Sequence, residues 1–290
     1  MIPIIVPWKA LLGFFGESEA LDFVKRQGVQ LSKAEIARIV ERSSAARRYV
    51  EKLPQRAEAL PQVAEVPSSV ERYLEALRQE PTFQEYLAGT TAHRFAMIEV
   101  AKLVTFQTVL NQEYLDTLEE HVPPASDTEG LVKFCLPSRK ERTGDIALIN
   151  LNPETNTFSI ATDNLDFRVL GNVQGEDPPS GRKFVGFAFG AGLRAMSVAQ
   201  YEGRYILKNG YHRAYALRKA GHNWIPVLLL QVPSYDLTGA NRPGFFPVDL
   251  LRGPKPPILD DFFSPAAVDI KRFKQKMVMT VHAEVQAIPV

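Results

Sequence analysis

The chain has 290 residues, 45% of them hydrophobic and 23% charged, with a net charge of +1 and a single cysteine. Such proportions describe an ordinary soluble globular protein with room for one large domain or two modest ones. No apolar run approaches the length of a membrane span, and Cys135 alone excludes an internal disulfide and suits a reducing cytoplasm.

The opening MIPIIVPWKALLGFFG is apolar, but it carries prolines and lacks a basic start or a small-residue cleavage site. It is expected to pack as an N-terminal segment rather than act as a signal peptide. The first part of the chain, residues 1–128, reads as mostly helical. Ser32-Lys33-Ala34-Glu35 is a capping box, and the helix it opens can run to Leu53 before Pro54 stops it. Ile36, Ile39, Val40, Val50 and Leu53 supply its apolar stripe. A sharper alternative splits this helix near Glu41–Ser44 into a helix-turn-helix that reads DNA with Ser44–Leu53. No glycine marks that turn, and acids such as Glu41 and Glu51 dilute the basic charge. Leu60–Ser69 is a proline-punctuated linker. Helices are expected over Ser69–Gln79, Thr82–Ala88, Ala92–Leu110 and Gln112–Glu120, with Ala96, Val100, Leu103 and Val104 on one core-facing stripe of the third. Pro123–Gly130 marks a boundary.

Beyond it the period shortens. Leu131–Leu136, Ile146–Leu151, Thr157–Thr162, Phe167–Leu170, Val185–Phe189 and Leu193–Gln200 read as β-type runs separated by Asn, Asp, Gly and Pro. Cys135 lies inside the first of these, which suits a buried structural thiol better than a nucleophile. Gly186, Gly190 and Gly192 lack Walker A spacing and its Lys-Ser/Thr ending, so they read as a glycine-softened strand end.

The most informative stretch is Tyr201–Gln231. Glu202-Gly203 is a two-residue hairpin turn between β-rich runs. Lys208-Asn209-Gly210 breaks the second strand, Tyr211–Ala220 reads as a short helix, and Gly221 closes it. Ile225–Leu230 is an almost unbroken apolar run, as in a strand buried on both faces. A glycine before a helix N-terminus is a setting that can hold an anion, phosphate above all. His212 and Arg213 in the first turn are cations that the helix dipole disfavours unless an anionic ligand sits above them. The bland reading is a tight turn with a solvated arginine. From Pro178 to Tyr235, eight bases face the single acid Glu202, a local charge of +7 that leaves −6 for the rest of the chain. This concentration favours a phosphate, nucleotide or nucleic-acid partner.

With its hairpin before and Ile-Pro-Val strand after, Asn209-Gly210-Tyr211-His212-Arg213-Ala214-Tyr215-Ala216-Leu217 resembles the signature of the ParB/sulfiredoxin superfamily, over about Ser197 to Val232. The resemblance implies that the G-x-x-R turn holds nucleotide phosphates, with Gly210 as turn glycine, Arg213 as phosphate-binding arginine and His212 as its polar neighbour. Lys208, Asn209 and Tyr211 complete the implied site. The superfamily spans segregation CTPases, sulfiredoxins, a serine kinase and nuclease-like proteins, so it implies a site more than a reaction. Tyr211 stands where sulfiredoxin-like proteins carry their reactive cysteine, and where segregation proteins carry an acid. No second arginine motif follows between Gln231 and Val290. Sulfinic acid repair and a clamp-forming CTPase are therefore not expected.

From Thr238 the chain is rich in proline and aromatics and is expected to pack as an extended strap. Asp260-Asp261 lacks a third ligand at useful spacing and reads as a solvated acidic turn, and the histidines show no zinc-type spacing. The expected fold is α+β: a helical N-terminal region at 1–128, a small mixed-sheet ParB/sulfiredoxin-like domain at 129–235 and a wrapping tail at 236–290. The expected function is a cytoplasmic nucleotide- or phosphate-binding protein, a nucleotide of unknown type with or without Mg²⁺ as cofactor, coupled to nucleotide hydrolysis, phosphoryl transfer or nucleic-acid processing. Nucleic acid is the second candidate partner, and no membrane partner is expected. The alternative is a non-enzymatic DNA-associated or protein-interaction module that keeps the fold.

Overall fold

A computed structural model describes residues 4–27, 29–56, 59–80, 83–84, 87, 89–138, 148–162, 167–177, 179–191, 194–275 and 277–282. It is a mixed α and β protein of two compact units. The first unit joins Met1–Arg139 to Arg194–Lys274, and the second joins Lys140–Leu193 to Gln275–Val290. The expected boundaries at 128 and 235 therefore fall inside the first unit.

In the first unit, β1 (Ile5–Ala10) buries Val6, Trp8 and Ala10 at alternate positions. It lies between β4 (Val109–Asn111) and β12 (Val268–Phe273), both antiparallel to it. Pro7 sits just outside the β4 pairing, which starts at Trp8, so its missing N–H breaks no ladder there. Helices α1 (Glu17–Lys25) and α2 (Lys33–Lys52) cover this sheet through Phe23, Val24 and Ala46. Ser32 caps α2 as expected: its Oγ accepts from the Glu35 N–H at 3.2 Å, while its own N–H donates to the Glu35 carboxylate at 2.9 Å. The helix runs unbroken through 41–44, so the helix-turn-helix alternative has no turn.

The second sheet of this unit has the order β10-β9-β11-β3-β2. Its strands are β2 (Val63–Ala64), β3 (Ala92–Glu99), β9 (Ser197–Tyr201), β10 (Arg204–Asn209) and β11 (Trp224–Gln231). The hairpin turn is present as read, with Glu202 and Gly203 at φ 44° and 74°. Strand β11 is central, antiparallel to β3 and parallel to β9, and buried from Ile225 to Leu230. Pro226 lies before β9 begins to pair, at Leu228. The helix expected over Ala92–Leu110 is a correction. Eight consecutive residues of β3 pair with β11, and Phe95, Ala96 and Ile98 are all buried. A partner strand overrode a periodicity that fits either state.

Further helices among the described residues are α3 (Glu71–Arg78), α4 (Gln112–Glu119), α5 (Thr128–Cys135), α6 (Tyr211–Lys219) and α7 (Val248–Arg252). Helix α5 replaces the strand expected over Leu131–Leu136. Asp127 caps it by accepting the Gly130 N–H at 2.8 Å, and its apolar residues turn toward β11. Part of the expected Thr82–Ala88 helix lies outside the described residues. The tail is more regular than a strap: it forms α7 and two short 3₁₀ turns, and β12 pairs with β1 from Ala10↔Val268 to Ile5↔Phe273.

The second unit contains β5 (Leu148–Asn152), β6 (Thr157–Thr162) and β13 (Met277–His282) in the antiparallel order β13-β6-β5. It also holds a long hairpin of β7 (Phe167–Asp177) and β8 (Arg182–Ala191). No helix among the described residues is long and apolar enough to cross a membrane.

Candidate functional site

The turn between β10 and α6 has the backbone that its sequence demands. Gly210 is left-handed at φ 97°, ψ 25°, and its carbonyl accepts the Ala214 N–H at 2.8 Å to close the first helical turn. A Cβ at Gly210 would stand 2.5 Å from Cγ of Met196, so a buried methionine fills the space directly behind it.

The side chains around that turn point inward. Arg213 Nη1 donates to the carbonyls of Phe134 and Cys135 at 3.0 and 3.1 Å, and Nη2 donates to the carbonyl of Arg194. Burial holds its pKa below the usual arginine value. Expected to face a phosphate, the guanidinium instead ties the C-terminus of α5 and the approach to β9 onto α6. Carbonyl acceptors leave no signature in the sequence, and that is why these partners went unseen.

His212 is largely buried. Its Nε2 accepts the Asn111 N–H at 3.0 Å, and the Tyr114 ring meets it edge-on at 5.1 Å. Burial first, and then the adjacent Arg213, bring its pKa down from 6.5 to about 4, so it is neutral and joins α6 to the start of α4. Tyr211 is buried with its hydroxyl donating to the Leu207 carbonyl, and burial pushes its phenol well above the ordinary value. Asn209 Nδ2 donates to Ala195 O at 3.1 Å, and Lys208 Nζ donates to Leu237 O at 2.8 Å. The six consecutive residues from Lys208 to Arg213 lie on the turn between β10 and α6. Their side chains, however, anchor the surrounding loops.

Cys135 is fully buried, and burial raises its thiol pKa to about 12, in keeping with a structural role. Asp260 and Asp261 are not a solvated acidic turn. Asp261 is buried and takes a two-pronged contact from Arg56 at 3.0 and 2.5 Å, whereas Asp260 takes one from Arg218 at 2.8 and 3.0 Å. Among the described residues no group of three or more His, Cys, Asp or Glu side chains is placed to hold a metal ion.

The basic segment is not an open positive face either. Arg218 is paired with Asp260, and Lys219 with Glu119 at 2.7 Å. Arg182 and Lys183 sit opposite Asp177 and Glu176 in the β7–β8 register. Arg204 reaches the carbonyls of Arg252 and Gly253 at 2.8 and 3.0 Å. The acids paired with Arg218 and Lys219 come from other parts of the chain. Local charge counting overstated the field for that reason. No protein-family model, curated protein or solved structure matches this chain.

Proposed function

We propose that the chain is a non-enzymatic protein-interaction module that keeps a ParB/sulfiredoxin-like arrangement and uses the phosphate turn of that family as a structural joint. The observation that carries this reading is the Arg213 guanidinium, whose contacts run to the carbonyls of Phe134, Cys135 and Arg194. A guanidinium held by three carbonyls would have to abandon them before it could clamp a phosphate, and buried acceptors left unmatched are costly. The pairing of Arg218 with Asp260 and of Lys219 with Glu119 takes two cations from any nucleic-acid face, whose binding depends on unneutralised cations.

Exposed apolar side chains support the same partner class. Phe184 and Phe187 are 51% and 50% exposed, and the hairpin register puts Phe184 and Val173 on one face and Phe187 on the other. Ile149 and Leu151 of β5 and Val278 of β13 are exposed on the three-stranded sheet of the same unit. A two-stranded ribbon is marginal in water by itself, and a protein surface is what such side chains can be buried against. A thermal-shift panel of nucleotides, with and without Mg²⁺, tests the reading. The expected result is no saturable stabilisation. A nucleotide that stabilises the wild type but not Gly210→Val would restore the phosphate turn as a ligand site.

A further inference from the structure

The first unit contains a cleft of about 30 Å³, lined by four separate segments and by none of the residues Lys208–Arg213. Since a bound water needs on the order of 10–15 Å³, there is room for two waters or one compact ion. Arg56 comes from the segment after α2, Lys102 from the turn after β3, Arg204 and Tyr205 from the start of β10, and Ile258 from the tail. Val104 stitches the floor: its N–H donates to Tyr205 O at 2.9 Å, and it bridges to both Ile206 and Ile258. Cations from three segments converge on an apolar, hydrogen-bonded floor. Among the described residues no acidic side chain lines the cleft.

The three cations differ in how they are compensated. Arg56 is neutralised by Asp261 behind it, and Lys102 pairs with Glu99 at 3.0 Å on the rim. Arg204 has no carboxylate within ion-pair distance among the described residues. One of its terminal nitrogens donates to two carbonyls, while the other, Nη1, is covered and meets no acceptor. Arg252, which is itself paired with Glu202 at 2.5 Å, adds a like charge. Burial first, and then the like charge of Arg252, hold the Arg204 pKa below the usual value. A guanidinium with no carboxylate partner among the described residues, at the wall of a cleft that no described acidic side chain lines, is a place where an anion gains a charge-assisted contact.

We propose that this cleft is a binding site for a compact oxyanion, a phosphate or carboxylate group, with Arg204 as its principal cation and Lys102 at its rim. The site is independent of the Lys208–Arg213 turn and of the interaction reading above. The apolar walls at Val104 and Ile258 suit the body of a larger ligand whose anionic end enters the cleft.

The test is calorimetry on the full chain in low-chloride buffer, with inorganic phosphate in one arm and acetate in the other. Saturable binding in either arm is expected, and the arm that binds identifies the oxyanion type. Arg204→Met is expected to weaken binding at least about tenfold, the factor carried by one charge-assisted hydrogen bond. Arg204 also holds two carbonyls, so Lys102→Glu provides a variant at a solvent-facing position, and it should abolish binding by placing a carboxylate at the rim. Arg48→Met, on the exposed side of α2, should bind like wild type. No saturable binding in either arm, or binding that both Arg204→Met and Lys102→Glu leave unchanged, overturns the proposal.

Discussion

Arg213 donates to the backbone carbonyl of Cys135 at 3.1 Å, joining the first turn of α6 to the last turn of α5 across 78 residues of sequence. The carbonyls that end a helix have no partners of their own within it. A cation there satisfies them and suits the negative end of the helix dipole. The contact fixes how α5 and α6 meet around β11, and it makes Arg213 a stability residue. Cys135 O also accepts the Met196 N–H at 2.8 Å, so Arg213→Ala strands chiefly the carbonyls of Phe134 and Arg194. The variant should lose about 2–3 kcal/mol in urea unfolding, the scale for unmatched buried acceptors. Arg213→Lys should recover only part of that, because an ammonium cannot reproduce the planar fork. An Arg213→Ala protein as stable as wild type would show that the carbonyl contacts contribute nothing.

His212 sets an acid limit on stability. Its folded pKa, about 4, lies below the unfolded value of 6.5, so the unfolded chain binds the extra proton. The stabilising contribution is present above pH 6.5 and is lost as pH falls through that value toward 4, up to about 3 kcal/mol at 1.36 kcal/mol per unit. Glu35, held down to about 2 chiefly by the Ser32 backbone N–H, acts only below its ordinary value of 4.5. Urea midpoints between pH 6.5 and 4.5 should therefore fall for wild type and fall less steeply for His212→Gln. Parallel pH profiles for the two proteins would contradict the assignment.

Gly210 is needed for two separable reasons, a left-handed φ and the contact with Met196. Gly210→Ala should cost about 2 kcal/mol, combining backbone strain of about 1 kcal/mol with the overlap against a packed side chain. Met196→Ala removes the overlap but leaves the strain. A double-mutant cycle should show the pair to be less destabilised than the sum of the singles, by about 0.5 kcal/mol or more. Simple additivity would mean that the steric contact relaxes without cost.

The adjacent carboxylates Asp260 and Asp261 should behave very differently. Asp261→Asn strands the buried Arg56 and is expected to cost about 3–5 kcal/mol. Asp260→Asn breaks a half-exposed pair with Arg218 and should cost about 1 kcal/mol or less. Chemical denaturation of the two variants decides this, and equal losses would refute the distinction drawn from burial.

The apolar surface of the β7–β8 hairpin predicts a fifth measurable difference. Phe184→Ser and Phe187→Ser together should reduce binding of a hydrophobic dye by the native protein. Melting temperature should change little, since exposed side chains contribute little to folding. Unchanged dye binding would remove the apolar hairpin as support for a protein partner.

Several elements were legible because their causes are local. The Glu202-Gly203 hairpin, the Gly210 turn, the Gly221 stop and the Ser32 capping box each depend on a positive φ or a cap within a few residues. Strand β11 was legible because burial on both faces demands a continuous apolar run. The left-handed turn at Gly210, on which the residues Lys208 to Arg213 sit, was legible for the same local reason, a positive φ.

What only the tertiary structure decided depends on partners remote in sequence. Residues 92–99 became a strand because β11 lay ready to pair with them, and 128–135 became a helix capped by Asp127 and packed on that same strand. Two cations of the +7 segment, Arg218 and Lys219, were paired with Asp260 and Glu119, acids that lie outside it. Above all, the direction of Arg213 was settled by the carbonyls of Phe134, Cys135 and Arg194. A side chain's residue type states what it can donate, and only folding determines which acceptors come within 3 Å of it.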